Sequence, residues 1–237
     1  MHRLMIAGLA LGLGGCNMVV SDKPWFAASE AAQPGLKDGL WVNLKGPDCQ
    51  FDPALAVQDW PECAQPMLVD GAFYRGPNGK ADEDKAQLAD VAKWDKIEHV
   101  LVAGDPLIDQ IDMKSGADDP TRSDSKGYLY IAARIVKRDA DGRAIEVQRW
   151  PVACGPMPKQ LPKRKGLPIP SDFVTKAPFP GLKVKDSACT ATDIAALRRA
   201  AALSEKIAVP NKTPPVTSRW VRAKADGGQA ISAQPNS

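Results

Sequence analysis

The sequence holds 237 residues, with 31 Lys and Arg against 28 Asp and Glu, a formal net charge of +3. A balance this even supplies no strongly basic face of the kind nucleic acid demands, so no nucleic-acid partner is expected. With 44% hydrophobic residues, 21 Pro and 19 Gly, the composition excludes a disordered chain or a helical bundle and points to a loop-rich globular domain.

The first feature in chain order is a leader. Met1-His2-Arg3 is basic, residues 4–13 (LMIAGLALGL) form an apolar run, and Gly14-Gly15 precede Cys16. Positive charge, a short apolar stretch and small residues are the order of a secretory signal peptide. The run is also far shorter than the about 20 residues that span a bilayer. Leu13-Gly14-Gly15-Cys16 resembles the lipobox of bacterial lipoproteins. That resemblance covers residues 1–17 alone. It implies removal of residues 1–15, a diacylglyceryl group on the Cys16 thiol, and acylation of the new N-terminus, so that the membrane is a partner through the N-terminal lipid. Each buried CH₂ of such a chain contributes roughly 0.8 kcal/mol, and two or three chains anchor firmly. Asn17, at a position where Asp would favour inner-membrane retention, implies an outer-membrane, periplasm-facing location.

Residues 17–37 carry small residues and two prolines and are expected to be a flexible tether, leaving 38–225 as a single domain and 226–237 as a frayed tail. Besides Cys16 there are four cysteines, and an even number in an exported chain predicts two disulfides. Cys49–Cys63 and Cys154–Cys189 are the expected pairs, because each brackets a Pro-rich loop. No Cys-x-x-Cys is present and only His99 remains beyond the leader, so no zinc site is expected.

Strands are predicted at 40–44, 67–75, 97–103 and 107–113 from their β-rich, alternating patterns. Residues 82–94 are ambiguous between helix and loop, and the polar stretch 114–126 reads as loop. Residues 128–137 and 144–152 flank Asp139-Ala140-Asp141-Gly142, a hairpin by the Asp-Gly rule. The seven prolines between 155 and 181 exclude central strands there. A helix follows, with Thr190 and Asp193 matching a capping box, or Thr192 as an alternative cap, and Leu197, Ala200, Leu203 and Ile207 on one face. Pro210 stops it, and 216–223 is a candidate last strand. The fold class is α+β: a mainly antiparallel sheet, curved or closing into a partial barrel, with one C-terminal helix packed on it.

No motif points to a cofactor or metal, and no catalytic residue is assigned. His99 shares a strand face with Ile97 and Leu101 and reads as a half-buried or surface histidine, since no Ser stands in a nucleophile-elbow pattern. Asp105, Asp109, Asp112, Asp118 and Asp119 read as a solvated loop, because charge runs usually face water. The 139–142 turn begins like a calcium loop, but Arg143 and Trp150 occupy ligand positions. Residues 76–80 lack the Ser or Thr of a phosphate loop. Lys163-Arg164-Lys165, with Lys159 and Lys176, reads as a solvated basic loop with anionic lipid or cell-wall polymer as the functional alternative. Trp25 is a candidate for the membrane interface. The leading expectation is therefore a lipid-anchored binding or structural module that contacts an envelope protein or cell-wall polymer. The alternative is an envelope hydrolase using Asp105 and Asp119 with His99.

Overall fold

The computed structural model describes residues 17–77, 88, 90–113, 127–156, 174–185, 188–208 and 215–224. A two-residue strand, β1 (Val20–Ser21), precedes seven strands in sequence: β2 (Gly39–Leu44), β3 (Ala64–Asp70), β4 (Phe73–Gly76), β5 (Asp95–Val102), β6 (Leu107–Asp112), β7 (Tyr128–Arg138) and β8 (Ala144–Pro151). The hairpin of β9 (Leu182–Lys185) and β10 (Ala188–Ala191), the helix α1 (Ile194–Ala208) and the strand β11 (Val216–Arg222) complete the order.

Strands β2 to β8 pair consecutively and antiparallel, with the short β4 between β3 and β5. The last strand closes the ring. In β11, Thr217 and Ser218 face Leu44 and Asn43 of β2 on one side and Gln148 and Val147 of β8 on the other. Eight antiparallel strands thus form a closed barrel with no free edge in the ring. Irregularities between Trp220 and Arg222, and between Ile135 and Arg138, supply the extra bend that closure needs. At the closing seam Gly39 has φ +129°, and a Cβ there would lie 2.4 Å from the Arg222 carbonyl oxygen, so only glycine fits.

The predicted hairpin is as expected: Asp139 Oδ1 accepts from the N–H groups of Asp141 and Arg143, and Gly142 takes φ +79°. The predicted strand 67–75 is instead two. Asp70-Gly71 turns the chain, with Gly71 at φ +59° donating its N–H to Asp38 Oδ1. The helix start differs as well. Thr190 is committed to β10, opposite Lys183, so Asp193 is the cap, accepting from Ala196 N at 2.7 Å. Of the ambiguous 82–94 stretch, Val91–Lys93 is a 3₁₀ turn, and most of the rest lies outside the described residues.

Residues 17–37 are not a tether. Asn17 and Val19 are buried, β1 pairs with β7, Phe26 is buried and Trp25 packs beside it. The apolar spacing of Met18, Val19 and Phe26 outweighs the small residues on which the tether expectation rested. Gln110 fixes this segment, its Oε1 accepting from the N–H groups of Trp25 and Phe26 and its Nε2 donating to Phe26 O. Residues 31–37 then cross one end of the barrel from Val102 to Ala144, and Leu36 packs onto the apolar residues inside.

The barrel therefore has a strap end, with the short turns after β3, β5 and β7, and a loop end carrying the long connections. Outside, α1 buries Ala196, Leu197, Ala200 and Ala201 over Ile108, Ala132 and Trp150. Trp150 Nε1 donates to Ala201 O at 2.9 Å. Each large aliphatic side chain so buried stabilises by about 1.5–3 kcal/mol. The first cysteine loop covers β2 and β3 with Val57 and Trp60. The Cys49–Cys63 and Cys154–Cys189 disulfides both form, as expected from the sequence.

Candidate functional site

The inward faces of six strands carry polar side chains that meet in the barrel interior. Alternation sets this up: Asp109 points the same way as Leu107 and Ile111, and Arg149 the same way as Val147. Contacts between non-neighbouring strands place them in the lumen. From β8, Arg149 Nη2 donates to Asp109 Oδ2 of β6 at 2.9 Å and to the Tyr74 hydroxyl of β4. Tyr74 donates in turn to Asp109 Oδ2 at 2.5 Å. His99 Nδ1 of β5 lies 2.8 Å from Asp109 Oδ1, and the His99 and Tyr74 rings stack at 3.6 Å between centroids. The cluster continues towards β2: Arg149 Nη1 reaches Met67 Sδ at 3.8 Å, Asn43 Nδ2 reaches the same sulfur at 4.0 Å, and Ser218 Oγ donates to Asn43 Oδ1 at 2.6 Å.

Asp109 and Arg149 are 0% and 1% exposed, so neither charge is solvated. Burial pushes the Asp109 carboxyl up, but the facing His99 and then the Arg149 guanidinium outweigh it and hold the carboxyl below its usual value. Burial works against the Arg149 charge, yet Tyr74 and Asp109 keep its pKa above the ordinary arginine value. Burial pushes the Tyr74 phenol well above 10. Asp109 is thus an anion, and the proton in its bond to His99 belongs to Nδ1.

An ionised Asp that fixes the tautomer of a His is half of a nucleophile-activating triad. His99 Nε2 is buried and has no hydrogen-bond partner among the described residues, as is true of Arg149 Nε and Gln65 Oε1. The interior is otherwise taken up by Trp41, Met67 and Val69. The arrangement is a cross-barrel strut that ties β4, β5, β6 and β8 together.

Two expectations change here. His99 is buried, not half-exposed, because it points into a closed barrel rather than out of an open sheet. Asp109 belongs to no solvated loop; β6 carries it inward. The other acids separate from it. Asp105 sits exposed in the β5–β6 turn and pairs with Arg134 at 3.2 Å, while Asp112 ends β6. Asp118 and Asp119 lie outside the described residues, as do Cys16, Ser115, Ser123, Ser125, Lys159 and Lys163-Arg164-Lys165. Asp105 and His99, the described members of the hydrolase grouping, are therefore not brought together. Lys176 is exposed.

A concavity of about 410 Å³ opens at the strap end and is lined by Gln33, Pro34, Leu107, Ile135 and Arg138. Arg138 Nη1 donates to Gly142 O, so its one cation already braces the turn. Outward positions on the barrel, among them Lys96, Glu98, Arg134 and Arg219, are exposed charges, a surface suited to water and not to lipid tails. Among the described residues no helix is long and apolar enough to cross a membrane.

In comparisons with protein-family models, with curated proteins and with solved structures, nothing matches this chain.

Proposed function

We propose that this chain is a lipid-anchored cell-envelope protein, held through Cys16 on the periplasmic side of the outer membrane, and that its barrel is a binding or structural module. The observation that carries this reading is the fate of the cysteines. Four of the five are consumed in two disulfides, which leaves Cys16 as the odd one, directly after a basic, apolar and small-residue leader. Disulfides belong to oxidising compartments such as the periplasm, in keeping with export. A closed barrel filled by its own side chains supports a binding role for its outer surface and loops, with another envelope protein or a cell-wall polymer as the partner.

The experiment is peptide mass spectrometry on protein recovered from the membrane fraction, with Cys16→Ser alongside. The expected result is an N-terminal peptide that begins at an acylated Cys16, and loss of membrane partition in the variant. An unmodified Met1 with a free Cys16 thiol in the soluble fraction would overturn the reading.

A further inference from the structure

Asn17 follows the candidate lipidation site directly, and the fold grips it. Its Nδ2 donates to Gly155 O at 3.0 Å, its Oδ1 accepts from Thr175 N at 3.1 Å, and its carbonyl accepts from Cys154 N at 2.7 Å. One residue of backbone, about 4 Å, separates this fixed side chain from Cys16. A lipid on Cys16 has no tether to swing on, so one face of the domain must lie against whatever holds the lipid.

That face is basic. The described residues 152–156, 174–185 and 188–191 carry three cations, Lys176, Lys183 and Lys185. Described residues on either side of these cations meet the chain at Asn17: Cys154, Gly155 and Thr175 bond it directly, and Val19 bridges to Cys189 of β10. Lys176 follows Thr175, and Lys183 and Lys185 lie on β9, which pairs with β10. All three are exposed, and none makes an ion pair among the described residues.

We infer that the face around Asn17, carrying Lys176, Lys183 and Lys185, docks on an anionic phospholipid surface and sets the orientation of the barrel on the membrane. The inference rests on the proposed anchor for its biological setting, but the surface is testable without the lipid. Lysines close to an anionic bilayer each strengthen binding several-fold, and three together on the order of a hundredfold.

The test uses residues 16–237 with Cys16→Ser, both disulfides formed, and sedimentation with vesicles of phosphatidylcholine alone or with phosphatidylglycerol, at low ionic strength. Binding is expected only to the anionic vesicles. The K176Q/K183Q/K185Q variant should bind about a hundredfold more weakly, with an unchanged melting temperature. A charge-matched control, K96Q/K137Q/K224Q, alters lysines on the barrel strands and just past β11, and should bind as the parent does. Equal loss in the control, no preference for anionic vesicles, or binding to isolated cell-wall polymer in place of vesicles would overturn the inference. Acylation of Cys16 is read separately by mass: vesicle binding without acylation supports the surface and fells the anchor, whereas acylation without anionic preference fells the surface alone.

Discussion

Replacing Asp109 by Ala takes the acceptor from three buried groups at once. Arg149, 1% exposed, would keep its charge with no counter-ion, and Tyr74 and His99 would each lose their bond to the carboxylate. Removing one partner of a buried pair in this way costs about 3–5 kcal/mol. For a domain of this size that corresponds to roughly 6–20 °C in melting temperature, a large part of the 5–15 kcal/mol that typical domains possess. The assay is urea or thermal unfolding at pH 7 with both disulfides intact. The double variant D109A/R149M removes the stranded cation as well and should be less destabilised than the sum of the two single changes. The acid limb supplies a second reading. The folded Asp109 pKa is depressed, so its contribution is present above the ordinary carboxylate pKa and is lost as pH falls through the folded value. D109A should therefore lose less stability than the parent between about pH 5 and pH 2. A cost under about 1 kcal/mol, well below the buried-pair range, would refute the strut. So would strict additivity with R149M.

The three tyrosines, Tyr74, Tyr128 and Tyr130, all have raised pKa values, Tyr130 being pushed up to about 12 chiefly by its burial. In the folded protein Tyr74 and Tyr130 should give no tyrosinate absorbance with a midpoint near 10, and stability should fall as pH rises above 10, where the unfolded chain ionises these two first. Absorbance equal to three tyrosinates with a midpoint at 10 in the folded state would contradict the burial of Tyr74. Breaking Cys154–Cys189, which spans 35 residues, should destabilise by nearly 4 kcal/mol, against about 3 for Cys49–Cys63, which spans 14. Paired Ser variants in denaturant titrations check that order. Gly39→Ala should cost at least about 2 kcal/mol, from the positive φ and the Arg222 carbonyl together; a neutral effect would mean that the seam between β2 and β11 is looser than described.

The sequence makes most of the barrel strands, their antiparallel character and both disulfides legible because these are local or compositional features, while β1 and the β9–β10 hairpin escape it. Period-two alternation marks β5 to β8, and Asp139 with Gly142 announces the hairpin. Closure is not legible, since the pairing of β11 with β2 joins residues some 175 apart, as Ser218 and Asn43 are. The interior network is half visible. A His, an Asp and an Arg each fall where alternation expects an apolar residue, at 99, 109 and 149. His99 reads as a half-buried or surface residue and Asp109 as part of a solvated loop as long as the sheet is taken to be open, Arg149 is not singled out at all, and only the closed ring makes the inside a place where the three meet. The strand break at Gly71 and the burial of Asn17 escape for a similar reason. Each depends on a partner far along the chain: Asp38 for the first, Gly155 and Thr175 for the second.

The position of β11 makes barrel completion a test of chain completeness. Until residues 216–222 have arrived, β2 and β8 each present an unpaired edge and the interior polar groups face solvent. The ring therefore closes only when β11 is in place, and no earlier set of strands can seal the interior strut away from water. A product truncated before 216 would keep two open edges, each a template on which a second chain can pair.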